Sequence, residues 1–351
     1  MRGVAALAVV TFHANLDFGV SRWLPSAYLA VDMFFVLSGF VLAHAYEHRF
    51  KAGMTPGQFM AARLVRLYPL YILAIALRML GLLTASFSGH DVSISLGSLV
   101  SALPWNLFFL PAPPFAWNSQ TPLFPLDAPA WSLLFELLIN LAYVLTWRAL
   151  SNRMLVVVAF VSAVCLLAWL LHFGALDGGW NQSTILVGAA RVLYSFPLGI
   201  LLYRMRDKLR APDMGTALPL IATALLLAPP WSWGTAPGLY SLFAITVISP
   251  VLVAIGACCR TKTAFSQRIC IALGDTSYGV YVLHASLTLV FSWIFSHSLA
   301  KIFHQDGNVM TVFFVISLFI GTLLVDRFYD IPVRNWLTRR ILKRGMSAQL
   351  A

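Results

Sequence analysis

The chain has 351 residues, 60% of them hydrophobic and only 11% charged, with a formal net charge of +11. A soluble domain is nearer half apolar and about a quarter charged, so too few polar side chains remain to cover a water-soluble globule. The same apolar excess rules out disorder. The basic residues do not cluster on one element, so nucleic-acid binding is a poor explanation of the charge, and an all-α, polytopic membrane helix bundle remains.

A membrane-spanning helix needs roughly 17–25 mostly apolar residues. Ten such segments are predicted, near 3–20, 28–46, 67–85, 128–147, 154–172, 185–203, 216–231, 239–258, 271–295 and 309–326. The seventh is short and ends at Pro229-Pro230. The apolar stretch near 94–110 has a Ser-rich start and contains Pro104, which suits an interfacial segment better than a spanning one. The first segment imitates a secretory signal, with Arg2 as n-region and Val4–Thr11 as h-region. No small-residue cleavage site follows, so it is expected to stay as the first span. Met1 stands almost at the start of this helix.

Ten spans with both termini cytoplasmic leave only Arg22 and Lys301 of the 24 lysines and arginines in outside segments, with Arg78 and Arg191 inside helices. All the others fall on the cytoplasmic side, as the positive-inside rule requires. The asymmetry explains the net charge without a polyanionic partner. The largest outside segment, about 86–127, holds no Lys or Arg. Its Pro104-Trp105, Pro113-Pro114-Phe115, Trp117, Pro122 and Pro125 suit a loop lying at the interface, or one that stacks on a sugar ring. No internal repeat is visible, which weakens a transporter built from two related halves. One integral-membrane domain over residues 1–351 is expected, with no fused soluble domain. Cys165, Cys258, Cys259 and Cys270 are expected to be reduced thiols, and no metal site is expected because ligands at zinc spacing are lacking.

Ionisable groups inside a bilayer are costly and face a cavity or a partner. Here they are His13, Asp32, Arg78, Glu136, Arg191 and His284, with Asp17 near the outer end of the first helix. Arg2 and His13 are eleven residues apart, about 20° beyond three full helical turns, so they share a face about 16 Å apart along the axis. An arginine at the cytoplasmic mouth and an imidazole about halfway across fit a long ligand with anionic groups at one end and a reactive group at depth. Imidazole titrates near neutrality and serves as general base or nucleophile. A histidine bonded to a neighbouring helix accounts for the spacing equally well. Asp17, on the same face, and Asp32, which opens the second helix, are both placed to hold the imidazole in one tautomer. Asp32 also suits a helix N-cap. Arg63 and Arg66 share a face at the cytoplasmic start of the third helix and are able to grip phosphates, although positive-inside anchoring alone explains them.

These segments together resemble the acyltransferase 3 family of membrane acyltransferases. Arg2-Gly3-Val4-Ala5-Ala6-Leu7 followed by His13 is similar to its opening. Val31-Asp32-Met33-Phe34-Phe35-Val36-Leu37-Ser38-Gly39-Phe40 is similar to its second motif, and Arg63-Leu64-Val65-Arg66-Leu67-Tyr68-Pro69 to its third. Trp131-Ser132-Leu133 with Glu136 resembles its Trp-Ser-Leu-x-x-Glu. Gly274-Asp275-Thr276-Ser277-Tyr278-Gly279-Val280-Tyr281-Val282-Leu283-His284 resembles its late Ser-Tyr-Gly-x-Tyr-x-x-His segment. The matches cover essentially the whole chain in order.

The resemblance implies a bacterial inner-membrane O-acyltransferase of about ten helices. Its donor is cytoplasmic acyl-CoA, most often acetyl-CoA, and its acceptor a hydroxyl of an extracytoplasmic glycan or lipid-linked saccharide. It implies that Arg2 and His13 are the family's Arg-x10-His pair, with His13 essential for transfer, and that Arg63 and Arg66 form its Arg-x-x-Arg pair at the CoA end. It favours Asp32 over Asp17 as the partner of His13, and places Glu136 where the family keeps an acid that binds acceptor hydroxyls or assists proton transfer. Arg78 and Arg191 are expected to neutralise buried carboxylates or line a donor channel, and His284 to be structural. Family members usually have several residues before the Arg-Gly pair, where this chain has only Met1, and many carry a fused extracytoplasmic domain. A multi-helix transporter or flippase of a glycan-related substrate is the alternative, since it too needs intramembrane charges but no acyl-CoA. An inactive scaffold is a third, opposed by the presence of Arg2, His13, Arg63 and Arg66.

Overall fold

The computed structural model describes residues 1–20, 23–87, 96–113, 122–209, 215, 217–227, 237–294 and 306–342. The described residues are almost entirely helical, with one isolated bridge between Pro122 and Asn181. The helices are α1 (Arg2–Asp17), α2 (Ala30–Lys51), α3 (Pro56–Phe87), α4 (Leu96–Leu107), α5 (Ala130–Thr146), α6 (Asn152–Phe173), α7 (Ile185–Arg204), α8 (Ala217–Leu226), α9 (Pro237–Phe243), α10 (Ser249–Cys258), α11 (Ala264–Ile294), α12 (Gly307–Val325) and α13 (Ile331–Leu337). Wide π-type turns at Ala244–Ile248 and Asp326–Asp330 join α9 to α10 and α12 to α13.

Local chemistry sets several of these boundaries. At the start of α3, Thr55 and Gln58 form a reciprocal capping box, Thr55 N–H to Gln58 Oε1 at 3.0 Å and Gln58 N–H to Thr55 Oγ1 at 3.3 Å. Ser151 caps α6 by accepting from the Met154 amide at 3.2 Å, and Gly174 ends it with φ 77°.

Six helical segments have the length and apolarity of a membrane span: Ala27–Lys51, Pro56–Thr84, Asn152–Phe173, Gln182–Arg204, Pro237–Cys258 and Gly307–Ile341. They match the expected second, third, fifth, sixth, eighth and tenth segments. The other four expected segments are also helical but differ in length or polarity. Helices α1 and α5 have 16 and 17 residues, and α8 has 10. Helix α11 is long, at 31 residues, but polar in its first half, where Gln267, Arg268, Asp275, Thr276 and Ser277 lie. The stretch near 94–110 contains α4, whose 12 residues reach about 18 Å against a hydrocarbon core of about 30 Å. It is too short to cross. Pro229-Pro230, Phe115, Trp117, Arg22, Lys301, Lys343 and Arg344 lie outside the described residues.

Helices α2 and α7 form the interior. Their backbones touch at Gly39 and Gly199: a methyl group at Gly39 would overlap the Phe196 carbonyl, and one at Gly199 the Val36 carbonyl. Small residues are what allow helices to approach this closely in a membrane. Helix α6 flanks α7 and turns Val156, Val157, Phe160 and Leu171 outward, all exposed and apolar as a lipid-facing surface requires. Helix α1 packs on α11, α12 and α2, while α3 packs on the other side of α11 and on α5. Both ends of α1 therefore lie within reach of side chains from several helices.

Candidate active site

Glu136 on α5 gathers the arginine end of the site. Arg63 on α3 forms an ion pair with its Oε1, and Ser38 on α2 donates to the same oxygen at 3.4 Å. Arg2, at the first turn of α1, and Arg66, one turn after Arg63, both interact electrostatically with Glu136 and with Arg63. Three arginines from two helices, α1 and α3, thus gather around one carboxylate. A cavity of about 40 Å³ opens beside them, with Arg2, Ser38 and Glu136 on one side and Phe34, Ser132 and Tyr281 on another.

Of the three, only Arg63 is directly bonded to the carboxylate; among the described residues neither Arg2 nor Arg66 makes a side-chain hydrogen bond or ion pair. Arg66 lines a second cavity of about 400 Å³ with Arg334, Asn335 and Thr338. Arg334 is itself held by Asp330 at 2.8 Å and Asp326 at 3.5 Å. Sequence inspection did not single out Arg334, because a lone arginine in a basic C-terminal segment looks like membrane anchoring.

Tyr281 on α11 ties the cavity to the histidine end. Its hydroxyl pairs with Ser132 Oγ at 2.7 Å, and its backbone carbonyl accepts from Nδ1 of His284 at 2.6 Å. The ring of His284 lies against the ring of His13, with centroids 5.1 Å apart and planes inclined by 33°. His13 is half-buried and also meets the Phe12 ring edge-on. It is not among the residues lining the small cavity, which stops at Tyr281. His284, expected to be structural, lies against His13. Its Nε2 is fully buried and has no hydrogen-bond partner among the described residues.

Asp32 stands elsewhere. Both its oxygens are engaged by Arg191 on α7, and the two side chains are completely buried. Arg191 also donates to the carbonyls of Gly178 at 2.9 Å and Tyr28 at 3.1 Å. The expected contact between Asp32 and His13 is replaced by this pair, because a guanidinium satisfies both carboxylate oxygens at once. Arg191 thus neutralises a buried carboxylate, one of the two roles expected of it. Glu136 likewise sits with the arginines rather than beside His13. Arg78 donates to the Ala285 carbonyl at 3.2 Å and interacts electrostatically with Asp17 and Asp127.

Asp127, in the loop leading into α5, carried no signal in the sequence. It is buried, and neither side-chain oxygen has a hydrogen-bond partner among the described residues. Burial pushes its carboxyl well above the usual range, with Arg78 pulling the other way. The four cysteines are free thiols.

The arrangement provides a group of cations, a small cavity that reaches Tyr281, and a pair of imidazoles beyond that residue. Cations grip phosphate or carboxylate groups, and an imidazole moves a proton at neutral pH. The comparisons with known proteins agree with such chemistry. A family model described as an acyltransferase domain, that of acyltransferase 3, matches residues 1–327. The chain is 25% identical over 346 residues to the exopolysaccharide production protein ExoZ of Rhizobium meliloti (strain 1021), covering 97% of this chain and 96% of that one. It is 26% identical over 345 residues to a Komagataeibacter xylinus protein named as a membrane-bound transacylase, BcsY, with 93% and 81% covered. It is 46% identical over 182 residues to Protein 2 in picA locus of Rhizobium radiobacter, covering 49% of this chain and 93% of that protein. No solved structure matches the chain. With a family match running from the arginine of α1 past the last long helix, this chain belongs to the acyltransferase 3 family and is an integral-membrane acyltransferase.

Proposed function

We propose that the protein transfers an acyl group, acetyl in the first instance, from acyl-CoA on the cytoplasmic side to a hydroxyl of a glycan or lipid-linked saccharide on the far side of a bacterial inner membrane. The observation that carries this reading is the convergence of Arg2, Arg63 and Arg66 around Glu136, with His13 three turns along α1 from Arg2. CoA is a long molecule with phosphates at one end and a thioester at the other. Its phosphates meet Arg2 and Arg66, whose guanidiniums make no hydrogen bond or ion pair among the described residues, in the field of Arg63. The pantetheine arm follows the passage past Phe34 and Tyr281, which must turn aside because a cavity of about 40 Å³ has room for little more than water.

His13 then acts as general base. It takes the proton of the acceptor hydroxyl as the oxygen bonds to the acyl carbon. The carbon–sulfur bond breaks, its electron pair leaves on sulfur, and His13 returns the proton to the thiolate. The charge distribution supports ten spans with both termini cytoplasmic. A carbohydrate acceptor is supported by the name of ExoZ, which refers to exopolysaccharide production.

The test is transfer of label from acetyl-CoA to the glycan and lipid-linked fractions of membrane vesicles, wild type against His13→Ala at matched protein levels. Loss of a general base lowers the rate by about 10²–10⁴-fold. Equal labelling by the two proteins refutes His13 as the base. Labelling with succinyl-CoA but not acetyl-CoA corrects the acyl group.

A further inference from the structure

His284 has its tautomer set by its surroundings. Nδ1 lies 2.6 Å from the Tyr281 carbonyl, and a carbonyl oxygen only accepts, so Nδ1 carries the hydrogen and Nε2 the lone pair. That lone pair is wholly buried and meets no donor among the described residues, in a residue 1% exposed. Buried acceptors are normally satisfied, so this one invites a partner. Among the described residues, two rings lie against it. From α1 the ring of His13 packs on it, and from its own helix Tyr281 lies 6.0 Å away, centroid to centroid. From α3 Arg78 reaches only the carbonyl of the next residue, Ala285. The carboxylate expected to serve His13, that of Asp32, is taken by Arg191.

Resting on the transfer chemistry proposed above, we infer that His284 is the positioning residue of His13: its Nε2 accepts a hydrogen bond from the far N–H of the His13 ring and steadies the imidazolium formed as the acceptor hydroxyl loses its proton. The rings are in contact rather than hydrogen-bonded, so the bond forms when His13 turns its N–H toward Nε2. His284 neither gains nor loses a proton over the cycle. The proton passes from acceptor hydroxyl to His13 and from His13 to the departing thiolate. A neutral imidazole thus does what a carboxylate does in a catalytic triad, without placing a second charge in the interior.

Two substitutions separate this role from packing. In His284→Asn the amide nitrogen takes the place of Nδ1 and keeps the bond to Tyr281, with nothing at the position of Nε2. In His284→Gln the amide reaches that position. Initial rates of label transfer in vesicles, per folded enzyme and over a range of acetyl-CoA concentrations, give kcat and KM for each. H284N is expected to lower kcat about tenfold or more with KM for acetyl-CoA within about twofold of wild type, and H284Q to recover part of the loss. In H284Q the acid limb of the kcat profile moves to lower pH, because an amide oxygen is a weaker acceptor than an imidazole nitrogen. Wild-type kcat in H284N overturns the inference. If H284N does not accumulate, an unshifted acid limb in H284Q overturns it. Full activity in His13→Ala removes the reading on which it rests, whereas an inactive His13→Ala beside a fully active H284N removes this inference alone.

Discussion

Arg191 closes on Asp32 as a fork on a fork, Nε to Oδ1 at 3.0 Å and Nη2 to Oδ2 at 2.6 Å, with neither side chain exposed to more than 1%. The pair joins α2 to α7 at the centre of the bundle and binds the segments around Tyr28 and Gly178 through two further hydrogen bonds. A carboxylate held in this way serves the architecture rather than a neighbouring histidine.

Removing either member leaves the other charge buried and alone. Asp32→Ala or Arg191→Ala is expected to cost about 3–5 kcal/mol, seen as a large drop in the thermal midpoint of the detergent-solubilised protein and in its membrane level. The double variant Asp32→Leu/Arg191→Met recovers most of the loss, since apolar replacement of a buried pair is often neutral. Protein at normal levels but without activity in Asp32→Ala would instead restore a catalytic role for Asp32.

Glu136 holds Arg63 in place and offsets the repulsion among Arg2, Arg63 and Arg66. Glu136→Gln keeps the shape and removes the charge. A hydrogen bond to a charged group is worth about 1.5–3 kcal/mol, so a rise in KM for acetyl-CoA of about tenfold or more is expected, with a smaller change in kcat. Steady-state kinetics over a range of donor concentrations decides this. A fall in kcat at unchanged KM would move Glu136 to the acceptor side.

The contact between α2 and α7 depends on two hydrogen atoms. Gly39→Ala or Gly199→Ala sets a methyl group into the facing backbone, at an expected cost of about 1–3 kcal/mol. Gly274 in α11 has nothing within 4 Å of where a Cβ would stand. Gly274→Ala is therefore expected to stabilise its helix by about 0.5–1 kcal/mol. Thermal midpoints of the three variants, measured together in one detergent, should split in sign. A shared sign would contradict the packing described.

Asp127 supplies a pH dependence. Its carboxyl is raised in the folded protein, so between its ordinary and raised values the folded state holds a proton that the unfolded state has lost. Stability then falls as pH rises through that window. Asp127→Asn abolishes the effect. The thermal midpoint of the variant relative to wild type is expected to improve from about pH 5 to about pH 8. A constant difference would show that Asp127 remains ionised beside Arg78.

Much of the site was legible in the chain. The eleven-residue spacing of Arg2 and His13 and the i, i+3 pair Arg63 and Arg66 are local geometry, and the helix period alone puts them on defined faces. Partners were not legible. Asp32 and Arg191 stand 159 positions apart, and no periodicity states which of several buried cations a carboxylate meets. His284 looked structural because a lone histidine in an apolar helix usually is. Only the tertiary structure shows that one nitrogen is satisfied and the other is not. Hydropathy found the helices but not their ends: the π-type turn at Ala244–Ile248 and the brevity of α8 depend on backbone hydrogen bonding, which a sliding window averages away.

The Asp32–Arg191 pair also constrains biosynthesis. Helix α2 leaves the ribosome with a carboxylate that has no counter-ion, and the chain must grow by a further 159 residues before Arg191 exists to meet it. Until then a carboxylate in the apolar core is costly, and the lipid headgroup region accommodates it best. Docking of α7 thus supplies the counter-ion that α2 lacks, and a late helix becomes the condition for burying an acid on an early one.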